Sequence, residues 1–493
     1  MSSSDTQTHG EQSGREPGVT PSGDSIAEAD RATCELAQFA SALRLVELSD
    51  SLLEQLGWVI ADTIASIVAG SAEPELKAMA ARLAGAPGPA LLAGFGRATS
   101  ADAAALVNGS AGTFLEMDEG NRFSRGHPAV HVLPAALALS EERSLDAESF
   151  LCGVLAGYEI GSRIGRAARL RGSMHPHGTW GTVGAAAACA RAAGLEPGRF
   201  VEVINVSSSL TIASSKRTML EGGLVRNVYA GLSNRHGLLA LSLVDCGFTG
   251  ERHGIASVFG SVVSDGLDES MLLEGLGSQW HLQQNYFKLH SCCRYNHGTL
   301  DAIDQLAMQA RLPEPDAIAS IEVSTYNLAA ELEDPAPRNT LAAKFSVPFA
   351  VASRIVNGSS GLQSFTWEAI RNPAIGRLAA RVQVREDQAM TRRLPQERPA
   401  RVTIRLTDGS VRSAEVGVNR GDDALPYGRD ELTEKFIALC GRVWPRAHCE
   451  HLLESTLGLA AQAIAGRGRP AFDAWRALLA SAPQTDTERT GIR

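Results

Sequence analysis

Lysine is nearly absent. Lys77, Lys216, Lys288, Lys344 and Lys435 stand against 41 arginines in 493 residues. A lysine retained where arginine is the habit invites a question, because burial can lower its pKa until it gives up a proton. Cysteine is scarce too. Cys34, Cys152, Cys189, Cys246, Cys292, Cys293, Cys440 and Cys449 include one adjacent pair and no C-x-x-C. Zinc and disulfide frameworks are therefore weak readings, and a reducing cytoplasm fits best. Excess basic charge is missing: the net charge is −9. That excludes a global field for nucleic acid and leaves room for a local basic pocket. No run of roughly 18 apolar residues appears, which argues against a membrane span. There is no Gly-rich phosphate loop and no internal repeat.

What is present is an ordinary globular composition, 44% hydrophobic and 20% charged. Residues 1–25 and 483–493 are polar and low in hydrophobicity, so both read as disordered tails, and the first lacks the apolar core of a secretory signal. From 26 to 284 the chain is rich in Ala, Leu and Gly with helical spacing, as in Leu52, Leu56, Val59, Ile60, Thr63, Ile64 and Ile67. Gly194 before Pro197 reads as a helix stop. Residues 285–422 change character. AIASIEVSTYNL (317–328) alternates, and ARVTIRLTDGSVRSAEVGV (400–418) reads as a hairpin turned at Asp408-Gly409. Between them 345–356 and 364–380 read as helices. Helical character returns over 423–482. The expected fold is mainly α: a large all-helical domain built from both chain ends, with a smaller α+β domain inserted.

Four clusters could carry chemistry. In FLEMDEGNRFSRGHPAVHVLPA (114–135), Glu116, Asp118 and Glu119 precede a loop that ends in His127-Pro128. Pro128 would fix His127 at a helix N-terminus, where it could donate to an anion together with backbone N–H groups. A solvated loop is the plain alternative. In RGSMHPHGTWGTVGAA (171–186), His175 and His177 lie in a Gly-rich loop. Two histidines could begin a metal site, but no further ligands are evident, so the metal reading is none. In 214–240, Lys216, Arg217, Arg226, Arg235 and His236 gather positive charge, either as a solvated face or as a carboxylate pocket. In NYFKLHSCCRYNHGTLDAI (285–303), Lys288, His290, Cys292, Cys293, Arg294 and His297 sit at the expected domain junction, a favoured place for ligands. A Cys–His nucleophile there lacks any companion signature. This inventory suits binding a small polycarboxylate and moving protons beside a carboxylate. It offers nothing for nucleic acid or a membrane.

Taken in order, ADTIASIVAGS, ALVNGSAGTFLEMDEG…HPAVHVLPA, AGYEIGSRIG…HPHGTWGTVGAAAACARAAGL, EGGLVRNVYAGLSNRHGLLALSLVDCGFTG, KLHSCCRYNHGTLDAI and AAKFSVPFAVASRIVNG resemble the MmgE/PrpD family. That family holds 2-methylcitrate dehydratases, cis-aconitate decarboxylases and iminodisuccinate epimerases. The resemblance implies a homodimer, no metal or organic cofactor, and an active site between the helical domain and the α+β lid. It places the family's acidic motif on Glu116 to Glu119, its His-Pro on His127-Pro128, its loop histidine on His175 and its lid-entry lysine on Lys288. Cys293 and His297 fall on its later Cys/His positions, and His177 on a place often held by Thr. Three departures stand out: Gly120 for a Thr, Arg226 for the Lys of decarboxylase-like members, and Phe349 for a Tyr used by some decarboxylases. HPAVHVLPA lacks the Asp-Asn that follows His-Pro in 2-methylcitrate dehydratases, and the text looks closer to the fungal cis-aconitate decarboxylase branch.

The resemblance therefore implies a lyase, a decarboxylase or dehydratase without cofactor. His127, His175, Lys288 and Asp118 would be catalytic. Arg226, Glu116, His177, Cys293 and His297 would bind substrate. Arg226 and Lys288 are expected on substrate carboxylates, stabilising the dianion that develops beside them. His127 and His175 are the proton-transfer candidates, and Asp118 an orienting group. An epimerase of an amino-dicarboxylate, and an inactive homologue that only binds, are the alternatives.

Overall fold

The computed structural model describes residues 23–484. The expected tails at 1–25 and 483–493 fall almost wholly outside the described residues. A first hydrophobic core is built by long helices: Asp50–Ser71, Ala101–Phe114, Pro128–Glu142, Ala147–Ala167, Trp180–Ala192 and Tyr229–Asp245. Helix Asp50–Ser71 starts at Ser49, whose hydroxyl accepts the Leu52 N–H (3.3 Å). By length and composition this helix could cross a membrane, a reading the absence of long apolar runs had not anticipated. Yet 78% of its apolar window is buried inside the protein, so it is a core helix here.

The small-residue stretch allows very close packing. A Cβ at Gly157 would stand 2.5 Å from the Gly184 carbonyl, so Ala147–Ala167 and Trp180–Ala192 approach almost backbone to backbone. Helix Trp180–Ala192 ends as the Gly194 signal predicts, with φ +68° at that glycine. Helices Arg429–Cys440 and Arg446–Gln462, from the far end of the chain, pack onto Asp50–Ser71. Both chain ends thus contribute to the first core.

A second core joins Cys292, Ile303, Ile321, Val323, Val351, Val402 and Ile404, with Met219 reaching in. Its sheet runs in the order Val411–Val416, Ala400–Leu406, Ile318–Thr325, Val382–Glu386. The first three strands are antiparallel and the last is parallel to Ile318–Thr325. The hairpin turns at Asp408-Gly409, with Gly409 at φ +88°. The helix expected at 345–356 forms as Val347–Asn357. The one expected over 364–380 is split into Trp367–Arg371 and Pro373–Ala379, because Pro373 cannot continue a helix behind it.

The first part of the chain is not all-helical as expected. Ala90–Leu92 pairs with Arg97–Thr99, Gly120–Asn121 with Asn285–Tyr286, and Ala168–Leu170 with Ser264–Leu267. Ladders of two to four residues are too short to show a period-two pattern. The second of them matters most: it ties the acidic loop to the segment that leads to Lys288.

Candidate active site

Pro128 opens helix Pro128–Glu142, and His127 is its N-cap residue. The expected anion site at that helix end is, however, already filled. Oε1 of Glu119 accepts the Ala129 N–H (2.8 Å). The loop between Glu119 and His127 is pinned by Asn121, whose Oδ1 accepts the N–H groups of Phe123 (3.0 Å) and Ser124 (3.1 Å). Its Nδ2 donates to the His281 carbonyl (2.8 Å). Glu116 and Arg125 both hold positive φ, +55° and +56°, which costs a side-chain-bearing residue and is concentrated here at the site.

Nδ1 of His127 donates to the Glu119 carbonyl (2.7 Å), since a carbonyl only accepts. Oδ2 of Asp118 lies 3.0 Å from the same nitrogen. Both contacts fix the proton on Nδ1 and leave Nε2 for a ligand. Behind the histidine is a closed ionic network. Lys288, fully buried, stands 3.4 Å from Oε2 of Glu116 and 3.4 Å from Oδ1 of Asp118. Arg226 pairs with Oε1 of Glu116. Burial pushes the Asp118 carboxyl up, but the charges of His127 and Lys288 outweigh it and hold the group well below the usual carboxylate range. Glu116 is lowered in the same way, against burial, by Arg226 and Lys288. Lys288 is held above its ordinary value because Asp118 and Glu116 outweigh its burial.

His175 and His177 enter from the Gly-rich loop. His175 N–H donates to the Ser214 carbonyl (2.8 Å), and its Nδ1 accepts the His177 N–H (3.1 Å). Its Nε2 stands 3.4 Å from Nε of Arg226. His177 sits edge-on to His127, His131 and His175, with ring centroids 5.0, 4.9 and 4.8 Å away. Burial and the nearby Arg226 charge depress His175 and His177 far below the usual histidine value; His131 falls to about 3, mainly through burial. These three imidazoles are uncharged at neutral pH.

A cavity of about 160 Å³ joins the sites predicted from sequence. Glu116, His127, His175, His177, Arg226 and Cys293 all line it. Three predicted residues do not. Asp118 and Lys288 lie behind the lining, and His297 is turned away, with Nδ1 3.0 Å from Arg294 and Nε2 3.3 Å from the Cys292 carbonyl. Lys288, expected on a substrate carboxylate, is fully buried between two protein carboxylates. Cys293 offers no thiolate, since burial pushes its thiol up to about 11. Phe349, expected to stand where a tyrosine donor would act, lies in the second core against Phe365 (6.1 Å) and lines no part of the cavity. Gly120 has a local reason: a Cβ there would lie 2.4 Å from the Tyr286 hydroxyl.

Sequence reading missed Arg398 and passed over Arg125, Arg171, Tyr286 and Tyr295 inside clusters it had quoted, while Lys216, named in the basic cluster, does line the cavity. Arg398 is buried between the rings of Tyr286 (5.7 Å) and Tyr295 (5.7 Å), and it donates a hydrogen bond to the Arg122 carbonyl (3.4 Å). Arg125 donates to the Ala168 carbonyl (2.7 Å). Among the described residues neither pairs with a carboxylate, whereas Arg294 pairs with Asp422 (2.7 Å) and Lys216 with Glu331 (2.6 Å). Six cations therefore line the cavity against one carboxylate, Glu116. Among the described residues, one His/Asp/Glu group could surround a cation: His290, Asp301 and Asp304, away from this cavity. There Arg354 already holds Asp304 (2.7 Å), and the Arg420 N–H holds Asp301 (3.0 Å).

Comparison with known proteins identifies the family. Residues 34–266 match the MmgE/PrpD N-terminal domain, and residues 290–459 match the MmgE/PrpD C-terminal domain. A cis-aconitate decarboxylase of Aspergillus terreus is 25% identical over 459 residues, covering 87% of this chain and 93% of the relative. The cis-aconitate decarboxylase-like protein oryM of Aspergillus oryzae is 23% identical over 465 residues, covering 87% and 94%. A cis-aconitate decarboxylase of Mus musculus is 23% identical over 378 residues, covering 71% and 74%.

Proposed function

The chain belongs to the MmgE/PrpD family, and on that premise we propose that it is a lyase that removes a carboxyl group from a small tricarboxylate of the cis-aconitate type. One observation carries the reading: six cations line a 160 Å³ cavity, and two of them, Arg398 and Arg125, have no carboxylate partner among the described residues, in a protein whose net charge is −9. Such a cavity concentrates a small polyanion. It is below the ~300–1,000 Å³ typical of sites for larger organic ligands. The names of the fungal and mouse relatives point the same way.

The chemistry follows from the protonation states. Arg398 and Arg125, which have no carboxylate partner, take substrate carboxylates, and Arg226 adds a cation held in place by Glu116. His127, oriented through Nδ1 by Asp118, gives a proton from Nε2 to the alkene carbon. As that C–H bond forms, the bond to the departing carboxylate breaks. Its electron pair becomes the new double bond, and CO2 leaves. His127 regains its proton from solvent. His175 does not act as the acid, because it stays uncharged; it bears on Arg226 instead. Lys288 and Asp118 are positioning residues behind the lining.

The test is incubation of the purified protein with cis-aconitate in D2O, followed by NMR. The expected result is release of CO2 and a methylene product carrying one solvent deuteron. Deuterium entering the substrate with no loss of CO2 would instead favour an isomerase, and no reaction with cis-aconitate, citrate or 2-methylcitrate would remove the lyase reading.

A further inference from the structure

A second and larger cavity, about 780 Å³, opens behind the acidic loop. The two cavities share a wall. Along 115–117 the side chains alternate: Leu115 and Met117 line the larger cavity, and Glu116 lines the catalytic one. The remaining walls are mostly apolar, with Leu289, Leu362, Phe365 and Leu439 inside and Trp367 half exposed at the mouth.

Three cations face this cavity, and two are spoken for. Lys435 holds Asp62 and donates to the Met117 carbonyl (2.7 Å). Arg442 pairs with Glu73 (2.7 Å) and donates to the Ala69 carbonyl (3.1 Å). Lys344 differs. It is only 4% exposed, and its ammonium has no hydrogen bond or ion pair among the described residues. Burial accordingly pulls it below its ordinary pKa, partly against the pull of Glu73. A buried ammonium needs a counter-charge, and the protein does not supply one at contact distance. The rim carboxylates are engaged elsewhere: Glu431 by Arg420 (2.7 Å) and Glu434 by Arg446 (2.9 Å).

We propose that this cavity binds a small organic monocarboxylate, with its carboxylate on Lys344 and its hydrocarbon body along Leu362, Phe365 and Leu439. One negative charge fits and several do not, because Lys435 and Arg442 are already paired and a second carboxylate would find no cation of its own. The site therefore selects against the polyacid that the catalytic cavity attracts. It also abuts the catalytic lining through the backbone: the Lys344 carbonyl accepts the Cys293 N–H (3.0 Å) and Asn296 Nδ2 (3.0 Å), and Ser291 Oγ donates to the Leu115 carbonyl (2.8 Å).

The experiment is calorimetric titration of the full chain with octanoate, beside octanedioate and 1-octanol, with and without saturating cis-aconitate. Octanoate is expected to bind saturably, at least tenfold tighter than either control, and to be unaffected by cis-aconitate. Lys344→Gln removes the cation, and Gln363→Glu, on an exposed lining residue, adds repulsion without touching the core. Each is expected to weaken octanoate at least tenfold. No octanoate binding, equal binding by Gln363→Glu, or displacement by cis-aconitate would overturn the proposal. So would a change of oligomeric state in Gln363→Glu by light scattering with octanoate binding unchanged, which would mean a second copy of the chain covers the cavity. This titration needs no turnover, so failure of the decarboxylase reading leaves its outcome unaffected.

Discussion

Nδ1 of His127 is 2.7 Å from the Glu119 carbonyl and 3.0 Å from Oδ2 of Asp118, so one nitrogen is committed twice and the other is free. The carbonyl alone would set the tautomer. The carboxylate adds stabilisation of the charged ring, which matters only when His127 carries the proton to be delivered. Asp118→Asn keeps the shape and removes that charge. The expected outcome is a fall in kcat of about 10²–10³ with KM within about threefold, a split that fits general-acid catalysis. Steady-state kinetics on cis-aconitate would check it, and an equal loss in KM would move Asp118 into substrate binding.

Lys288 separates a structural role from a binding role. It neutralises Glu116 and Asp118 at 3.4 Å each, with no exposed surface. Lys288→Met should leave two buried carboxylates poorly compensated and destabilise the fold by about 3–5 kcal/mol. Urea unfolding measures this. A substrate-binding lysine would instead raise KM and leave the unfolding midpoint in place.

Arg398 should behave in the opposite way. It lines the cavity without a carboxylate partner. Arg398→Gln is expected to raise KM for a tricarboxylate about tenfold, ~1.4 kcal/mol of lost charge-assisted binding, with a smaller change for a dicarboxylate. Equal effects on both acids would place Arg398 away from the third carboxylate.

Much of this site could be read from the chain, and the limits of that reading have a physical cause. Pro128 announced the helix start that holds His127, and the loop histidines and Arg226 sat in visible polar clusters. What a one-dimensional text hides is which side of the backbone a residue faces. Glu116 and Met117 are neighbours in sequence and look into different cavities. Lys288 has the right chemistry for a carboxylate, but the carboxylates it meets belong to the protein. Arg398 gave no signal, because no histidine, lysine or cysteine accompanies it in QERPARV and it reaches the cavity through packing on Tyr286 and Tyr295. The short ladders of the helical part were hidden for a related reason. Gly120 pairs with Tyr286, 166 positions away, and no local pattern encodes such a partner.

Glu119 gives the protein a pH signature. Burial, together with the nearby Asp62 and Asp118 charges, outweighs its hydrogen bonds and raises its pKa from 4.5 to about 8. Between those values the folded state keeps a proton that the unfolded chain has released. Stability from this group therefore falls as pH rises from about 4.5 to about 8, and levels off above. Glu119→Gln mimics the protonated form: its Oε1 still accepts from Ala129, and its amide can donate to the Tyr158 hydroxyl. The difference in melting temperature, variant minus wild type, should grow across that window. A difference that stays flat from pH 5 to 8 would mean Glu119 is ionised throughout.

Phe349 provides the sharpest contrast between reading by resemblance and reading by packing. By resemblance, Phe349→Tyr restores a proton donor and should raise turnover. By packing, the ring is buried in the second core beside Phe365 and lines neither cavity. A hydroxyl placed there would give up its hydration on burial among apolar side chains. The expected outcome is a loss of about 1–3 kcal/mol in stability, with kcat unchanged within about twofold. Thermal unfolding and turnover measured on the same preparation decide between the two. A rise in kcat at unchanged stability would mean that this helix turns toward the catalytic cavity when substrate is bound.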